Sequence, residues 1–140
     1  MPAAAAAEQR ATRVGVRRPL VVGGAVAAAT ALVAVWDPHR AGSYGFCPLR
    51  ALTGLWCPAC GGLRATHDLV FGDVAGAWAM NPLWVAAVPL VVAGWVVWLV
   101  RSRRGLRTAP PAWVGWAGLA LMLLFGVLRN LPATAAFLRP

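Results

Sequence analysis

Three long apolar runs divide the chain and predict three membrane-spanning helices. They extend from Leu20 to Trp36, from Pro82 to Val100 and from Ala112 to Leu128. Each holds about 17–19 residues, close to the roughly 20 that a helix needs to cross a bilayer core. Because backbone amides in that core must be paired internally, such runs have to be helical. The pattern predicts an all-α membrane protein, with residues 1–18 as a mobile basic tail and residues 19–140 as a single membrane domain.

The stretch between the first two runs, residues 37–81, is more polar and predicts two short helices. Within the segment from Cys60 to Phe71, the positions of Leu63, His67 and Val70 recur at helical spacing. This spacing indicates an amphipathic helix of about three turns. Helices of mixed polarity between two spans are expected to lie along the membrane surface.

Turn and capping residues predict the ends of these helices. Gly72 ends the first short helix, and Asp73 is expected to cap the second, which runs to Met80. Asn81 followed by Pro82 supplies an N-cap and a first helical residue for the second span. The fold expected from these signals is three spans with two short surface helices in the loop.

Arginines flank the apolar runs in two groups and predict the orientation. A path with three spans puts both groups on one side, and the positive-inside rule makes that side the cytoplasm. The N-terminus is then cytoplasmic, whereas the loop 37–81 and the C-terminus face outward. The first run is long for the apolar part of a signal peptide, and its Val-Ala-Val-Trp end lacks a small-x-small cleavage site, which favours a span over a cleaved signal peptide. The groups are Arg10, Arg13, Arg17 and Arg18 before the first span, and Arg101, Arg103, Arg104 and Arg107 after the second.

Composition supports a membrane location and argues against a nucleic-acid-binding protein. Hydrophobic residues make up 60% of the chain and charged residues 12%, whereas about half of an ordinary soluble domain is apolar. The net charge of +9 comes largely from arginines beside the spans, as topology signals do. The expected partners are the lipid bilayer and a membrane protein or second copy of the chain. The lysine-free, alanine- and arginine-rich usage is typical of a bacterial genome and predicts the bacterial cytoplasmic membrane.

All three cysteines fall in the outward loop, at Cys47, Cys57 and Cys60. The spacing of the last two is the C-x-x-C motif of both disulfide oxidoreductases and zinc sites. Because the outer side of a bacterial membrane permits disulfides, we expect a structural bridge, Cys57–Cys60 or Cys47–Cys60. Three alternatives stay open: a zinc site, a redox pair in which a helix N-terminus stabilises the Cys57 thiolate, and packed free thiols.

A zinc site with all three cysteines needs a fourth ligand, and the candidates are histidines. His67 follows Cys60 by two helical turns, on the same face of the predicted helix. The rise over that distance is about 10 Å, too far without a bend, so His67 is more typical of an interface residue than of a ligand. His39, directly after the first span, is a weaker candidate. No cofactor is expected unless the cysteines hold zinc.

Two arginines of the loop are candidate binding residues. Arg64 lies one helical turn after Cys60 and one before Asp68. One interpretation is an Arg64–Asp68 pair on an exposed helix face. The other is that Arg64 binds an anionic headgroup or substrate phosphate, or stabilises a thiolate. Arg50 is expected to contact a lipid headgroup.

The loop resembles a bacterial family of small membrane proteins, catalogued as domain of unknown function 2752. The resemblance rests on a Cys-Pro-x-Cys-Gly-x-x-Arg-Ala run with Cys-Pro and Leu-Thr-Gly upstream of it and Gly-Asp and Asn-Pro-Leu downstream. It implies a membrane location and a shared site but no established activity. The family pattern usually has threonine where this chain has Leu63 and glycine where it has Ala59. The matching residues are Cys47-Pro48, Leu52-Thr53-Gly54, Cys57-Pro58, Cys60-Gly61, Arg64-Ala65, Gly72-Asp73 and Asn81-Pro82-Leu83.

These observations favour a non-enzymatic membrane protein. Its outward cysteine and arginine module would be stapled by a disulfide and bind a partner, a lipid headgroup or a metal. The alternative is a small membrane enzyme, acting in thiol–disulfide exchange or another reaction, with Cys57, Cys60 and Arg64 as the catalytic candidates. No ionisable residue falls inside the three predicted spans, which argues against an ion or proton path.

Overall fold

A computed structural model describes residues 2–40, 42–44, 47–106 and 110–138, with side chains from Gly15 onward. This part of the chain contains seven α-helices and no strand, which confirms the all-α prediction. Arg107 lies outside the described residues, as do the side chains of Arg10 and Arg13. The helices are α1 (Pro2–Val35), α2 (Pro48–Thr53), α3 (Gly62–Val70), α4 (Val74–Met80), α5 (Pro82–Arg103), α6 (Ala112–Asn130) and α7 (Pro132–Leu138).

Three of these helices are long and apolar enough to cross a membrane, as predicted. The candidate spans are Gly15–Val35, Pro82–Arg103 and Ala112–Asn130. Their large apolar side chains remain exposed within the chain; Leu90, for example, is 75% exposed and Leu123 62%. Such continuous apolar surface is costly in water and suits contact with lipid.

The chain divides into two compact units, of which the first comprises Met1–Ala29 and Pro89–Pro110. Inside it, the indole N–H of Trp95 donates to the carbonyl oxygen of Pro19 at 2.9 Å. The same ring lies against Gly23, where an added Cβ would be only 2.6 Å from a ring carbon. Glycine at this position therefore allows α1 and α5 to approach closely.

The arginine-bearing ends of α1 and α5 lie side by side in this unit. A Cβ placed on Gly15 would be 3.7 Å from the carbonyl oxygen of Ser102. Arg17 and Arg18 follow Gly15, and the arginines near the end of α5 flank Ser102. The two predicted topology signals are thus at the same end of the unit.

The second unit, Thr30–Val88 and Pro111–Pro140, contains the loop and the last two helices. Helix α3 packs against α4, and α7 packs against both α4 and α6. The buried positions of α3 are the small residues Gly62 and Ala65 together with Asp68. Leu63 and Val70 remain about half exposed and Phe71 is 67% exposed, so the larger apolar side chains of this helix point away from the unit's interior.

Two helices and one extension were not predicted. Helix α2 has six residues, too few to show a periodic pattern, although Pro48 starts it and Gly54 ends it in the left-handed conformation (φ 72°). Helix α7 follows Pro132 after the third span. Helix α6 continues two residues beyond the predicted end at Leu128 and so includes Arg129. Helix α1 begins at Pro2; a mobile tail over residues 1–18 stays a prediction.

Candidate functional site

The three cysteines, 13 residues apart along the chain at most, come together in the second unit. The amide N–H of Cys60 donates to the carbonyl oxygen of Cys57 at 3.0 Å, which closes the C-x-x-C turn. The amide of Ala59 donates to Cys57 Sγ at 3.4 Å. Gly61 leaves the turn with φ 82°, a conformation that favours glycine, and α3 begins after it. Cys47, directly before α2, completes a cluster in which all three Sγ atoms lie within 4.8 Å of one another.

The cysteines of this cluster are free thiols, and neither predicted disulfide is formed. A disulfide brings two sulfurs to about 2.05 Å and excludes the third. Here the C-x-x-C turn and the start of α2 instead direct three sulfurs to a common point. Sequence spacing identified the residues that meet, but it did not distinguish a bonded pair from a three-sulfur cluster.

The thiols of Cys47 and Cys60 differ in pKa because their surroundings differ. The backbone N–H of Arg50, in the first turn of α2, is the main influence that lowers the pKa of the Cys47 thiol. Burial, followed by the neighbouring Cys47 thiol, raises the pKa of Cys60 to about 11. We expected a helix N-terminus beside Cys57, but α3 begins only at Gly62. The cysteine at a helix N-terminus is Cys47, the N-cap residue of α2.

A buried arginine holds the backbone of the C-x-x-C turn. The Arg129 side chain, from the last turn of α6, is 0% exposed. Its Nη1 donates to the carbonyl oxygens of Cys57 and Cys60, at 3.1 and 2.8 Å. Nη2 donates to the carbonyl oxygen of Met80 at 3.0 Å, and Nε to that of Leu138 at 2.6 Å. One guanidinium therefore joins the turn, α4, α6 and α7.

Sequence reasoning missed Arg129 because it follows the apolar run instead of interrupting it. One signal was present. In the predicted topology, Arg129 is at the outward end of the third span, where the positive-inside rule disfavours arginine. An arginine that violates the rule calls for a structural partner, and the backbone carbonyls of the turn supply one.

Two asparagines also hold the backbone of the C-x-x-C turn. Asn81, 1% exposed, donates through Nδ2 to the carbonyl oxygens of Pro58 and Cys60, at 3.0 and 3.1 Å. Its Oδ1 accepts from the Trp84 amide, which caps α5. Asn130 exchanges two hydrogen bonds with the backbone of Trp56, each 2.9 Å long. The backbone on either side of Cys57 is thus held by the start of α5 and the end of α6.

A cavity of about 480 Å³ opens beside the sulfurs. Its lining includes all three cysteines and three arginines, Arg40, Arg50 and Arg64, and no acidic residue among those described. The Arg50 guanidinium lies over the ring of Trp56, 3.4 Å from the centroid. The Arg64 Nε donates to the carbonyl oxygen of Pro38 at 3.2 Å. The cavity is therefore strongly positive, with sulfur ligands in its wall.

The histidines and Asp68 form a separate polar group. His39 Nε2 lies 2.7 Å from Asp68 Oδ1, so Asp68 pairs with His39 and not with Arg64 as one interpretation held. His67 Nδ1 lies 2.9 Å from the carbonyl oxygen of Val33, and the ring contacts that of His39 edge-on. Neither histidine belongs to the sulfur cluster. Their contacts tie the end of α1 to α3.

Asp73 caps α4, as predicted, by accepting a hydrogen bond from the Gly76 amide at 2.8 Å.

Comparison with known proteins gives one match. Residues 47–95 match the model of a family described as Protein of unknown function (DUF2752), the family that the loop motif resembles. No curated protein and no solved structure matches the chain significantly. The matched segment contains the three cysteines, Arg50 and Arg64, and ends within α5. The segment that builds the cysteine cluster is therefore similar to this family of unknown function.

Proposed function

We propose that the cysteine cluster is a zinc site in the extracytoplasmic part of a bacterial membrane protein. The observation that carries the proposal is the convergence of three unbonded Sγ atoms within 4.8 Å of one another. Tetrahedral zinc with Zn–S bonds of about 2.3 Å keeps its sulfurs roughly 3.8 Å apart. Thiolate ligands also favour zinc over magnesium or calcium, which prefer oxygen.

The surroundings of the cluster suit a zinc–thiolate centre. Zinc with three thiolates carries a net charge of −1, and the cavity arginines, Arg50 and Arg64 among them, offset that charge. The Ala59 amide already donates to one sulfur, as an amide does to a ligating thiolate. Arg129 and Asn81 also hold the turn through hydrogen bonds to its backbone carbonyl oxygens. The ligands are thus preorganised, and three of them leave one coordination position open.

The proposed location follows from the arginine groups. Their proximity in the first unit supports a shared side, and the positive-inside rule favours the cytoplasm for it. The cysteine loop then faces outward, into an oxidising compartment where unbound thiols tend to pair. Zinc ligation would keep the three thiols reduced there.

Metal analysis of the purified protein tests the proposal. We expect one zinc per chain in wild-type protein purified without chelator. Cys47→Ser, Cys57→Ser and Cys60→Ser should each lose it, because two sulfurs are too few for a tight site. His67→Ala is the matched control and should retain zinc, since this ring is directed to Val33.

Intact mass and thiol labelling of the same samples would detect a disulfide in place of the zinc site. Native protein without zinc that has lost two hydrogen atoms by intact mass, and labels with one maleimide before reduction and three after it, would contain a disulfide. That result would overturn the zinc site.

The electrostatic asymmetry of the cluster favours thiol–disulfide exchange as a second candidate. In this reaction the Cys47 thiolate attacks a partner's disulfide, forms a mixed disulfide and releases one partner thiolate. The Cys60 thiol then loses its proton to solvent and attacks Cys47 Sγ, which releases the second partner thiolate and leaves Cys47–Cys60 oxidised. Both electrons pass from the two cysteines to the partner.

Alkylation of the metal-free protein at a series of pH values tests this candidate. Because the Cys47 pKa is lowered, its thiolate forms at lower pH, and Cys47 should be alkylated first. Cys60, with a pKa of about 11, should react last. Equal rates at Cys47 and Cys60 across the pH range would remove the basis for the exchange reaction and leave the zinc site unaffected.

A further inference from the structure

We infer that the cavity beside the cysteine cluster binds a phosphate group, held mainly by Arg50 and Arg64 on the open side of the zinc site. The inference rests on the proposed function, because it assigns the ligand class of the same site. The ligand is either a free phosphate compound or the headgroup of a phospholipid. Both present the same tetrahedral oxyanion to the cavity.

The charge of the cavity favours an anionic ligand. Three arginines line it, and no acidic residue does so in the described part of the chain. Zinc with three thiolates contributes −1, which leaves about +2, or +1 when the Arg40–Asp37 pair at 3.8 Å is counted as neutral. A pocket of this charge is complementary to a phosphate monoanion or dianion. Neutral ligands would leave the arginine charges uncompensated.

The two principal arginines are held in ways that keep hydrogen-bond donors available. The Arg50 guanidinium carbon lies 3.4 Å from the centroid of the Trp56 ring, and a contact with a ring face does not require the guanidinium N–H groups as hydrogen-bond donors. Arg64 is fixed through Nε to the carbonyl oxygen of Pro38, which leaves its terminal amino groups for a ligand. Each side chain is therefore positioned by a contact other than an ion pair, and neither contact neutralises its charge.

The arrangement favours phosphate over carboxylate. A carboxylate is satisfied by one bidentate arginine. Arg50 and Arg64 come from different helices, α2 and α3, and line one cavity of about 480 Å³. A phosphate offers three or four oxygens in a tetrahedron, so it can accept from both arginines and leave an oxygen toward the metal. This volume also accommodates a phosphate with its ester substituent.

Isothermal titration of the zinc-loaded full-length protein, in a detergent without phosphate, tests the inference. The probes are inorganic phosphate and dihexanoylphosphatidic acid. We expect saturable binding of at least one probe, with affinity roughly tenfold or more lower in Arg50→Gln and in Arg64→Gln. Arg64→Lys should fall between wild type and Arg64→Gln, because lysine keeps the charge and loses the planar fork. Arg103→Gln, an exposed arginine outside the cavity, is the matched control and should bind like wild type.

The outcomes separate the two proposals. Zinc content is measured in every sample and reports whether each variant keeps the cluster intact. Zinc-loaded wild type that binds neither probe, or binds equally well in all four variants, would overturn the phosphate site and leave the zinc site standing. Absence of zinc would overturn the proposed function, and titration of that protein would still test the arginines. Tighter binding of the lipid probe than of inorganic phosphate would identify a headgroup as the source, and the reverse a free phosphate.

Discussion

Replacing Arg129 by methionine should destabilise the second unit and weaken metal binding together. The guanidinium is fully buried and donates to four backbone carbonyls. Methionine fills similar volume but donates no hydrogen bond and carries no charge, so the substitution removes the donors and the positive charge with little change in volume. The four hydrogen bonds removed are to main chain, which the substitution leaves in place, and the contact of the guanidinium with the Phe125 ring, 5.2 Å from the centroid, is lost as well.

The expected loss of stability depends on which of the four carbonyls keep a second hydrogen-bond donor in the variant. The Cys57 carbonyl still accepts from the Cys60 amide, and the Cys60 carbonyl from Asn81. The Met80 and Leu138 carbonyls have no other donor in the contacts described for residues 47–106 and 110–138. Leaving a fully buried acceptor unpaired costs about 1–3 kcal/mol. Met80 and Leu138 are only half-buried, so water can partly replace the lost donor, and we expect a total loss of about 1–3 kcal/mol for the two carbonyls together.

Denaturation in detergent, followed together with zinc content, measures both effects. We expect Arg129→Met to unfold at clearly lower temperature or denaturant concentration and to bind zinc more weakly. Arg103→Met also removes an arginine from the last turn of a span, but an exposed one, and should change stability by no more than about 0.5 kcal/mol. Wild-type stability and zinc affinity in Arg129→Met would refute the view that this arginine holds the turn.

Three further predictions concern the spans and the loop. A reporter fused after Arg104 should read as cytoplasmic and one at Ser43 as outside; the opposite reading at Ser43 would invert the topology. Gly23→Ala should lower thermal stability by about 1–3 kcal/mol, because its Cβ would meet an indole ring at 2.6 Å. Gly24→Ala has open space and should be neutral or slightly stabilising, so equal effects would contradict the close-packing argument. Asp73→Ala should cost about 1 kcal/mol in chemical denaturation through loss of a helix cap, and an unchanged midpoint would mean that the cap does not contribute.

The parts of the fold that depend on local pattern could be predicted from the sequence. An apolar run long enough to cross a bilayer has to be helical there, so the three spans could be predicted. Helices α3 and α4 could be predicted from helical periodicity and from turn residues such as Gly72. Helix α2 was missed because six residues are too short for a period to appear. The exact end of α6 was missed because the apolar run stops before the helix does.

The site was predicted only as a set of residues, since its geometry depends on contacts distant in sequence. The three cysteines were identified, but their arrangement depends on where α2 lies relative to the C-x-x-C turn. Helical spacing suggested an Arg64–Asp68 pair as one interpretation, and that interpretation was wrong, because Asp68 pairs with His39, 29 residues earlier in the chain. Arg129 and Asn130 act on a turn about 70 residues earlier in the chain, which no local pattern reveals.

The hydrogen bonds of Asn81 also form a relay that reaches the sulfur cluster. The Trp84 amide donates to Asn81 Oδ1, and Asn81 Nδ2 donates to the Pro58 carbonyl. The same peptide unit ends in the Ala59 amide, which donates to Cys57 Sγ. Aligned donors and acceptors polarise one another, so each bond strengthens the next. The first turn of α5 is thereby coupled through one side-chain amide and one peptide dipole to a sulfur of the cluster, and a shift of that helix end would alter the field at the sulfur.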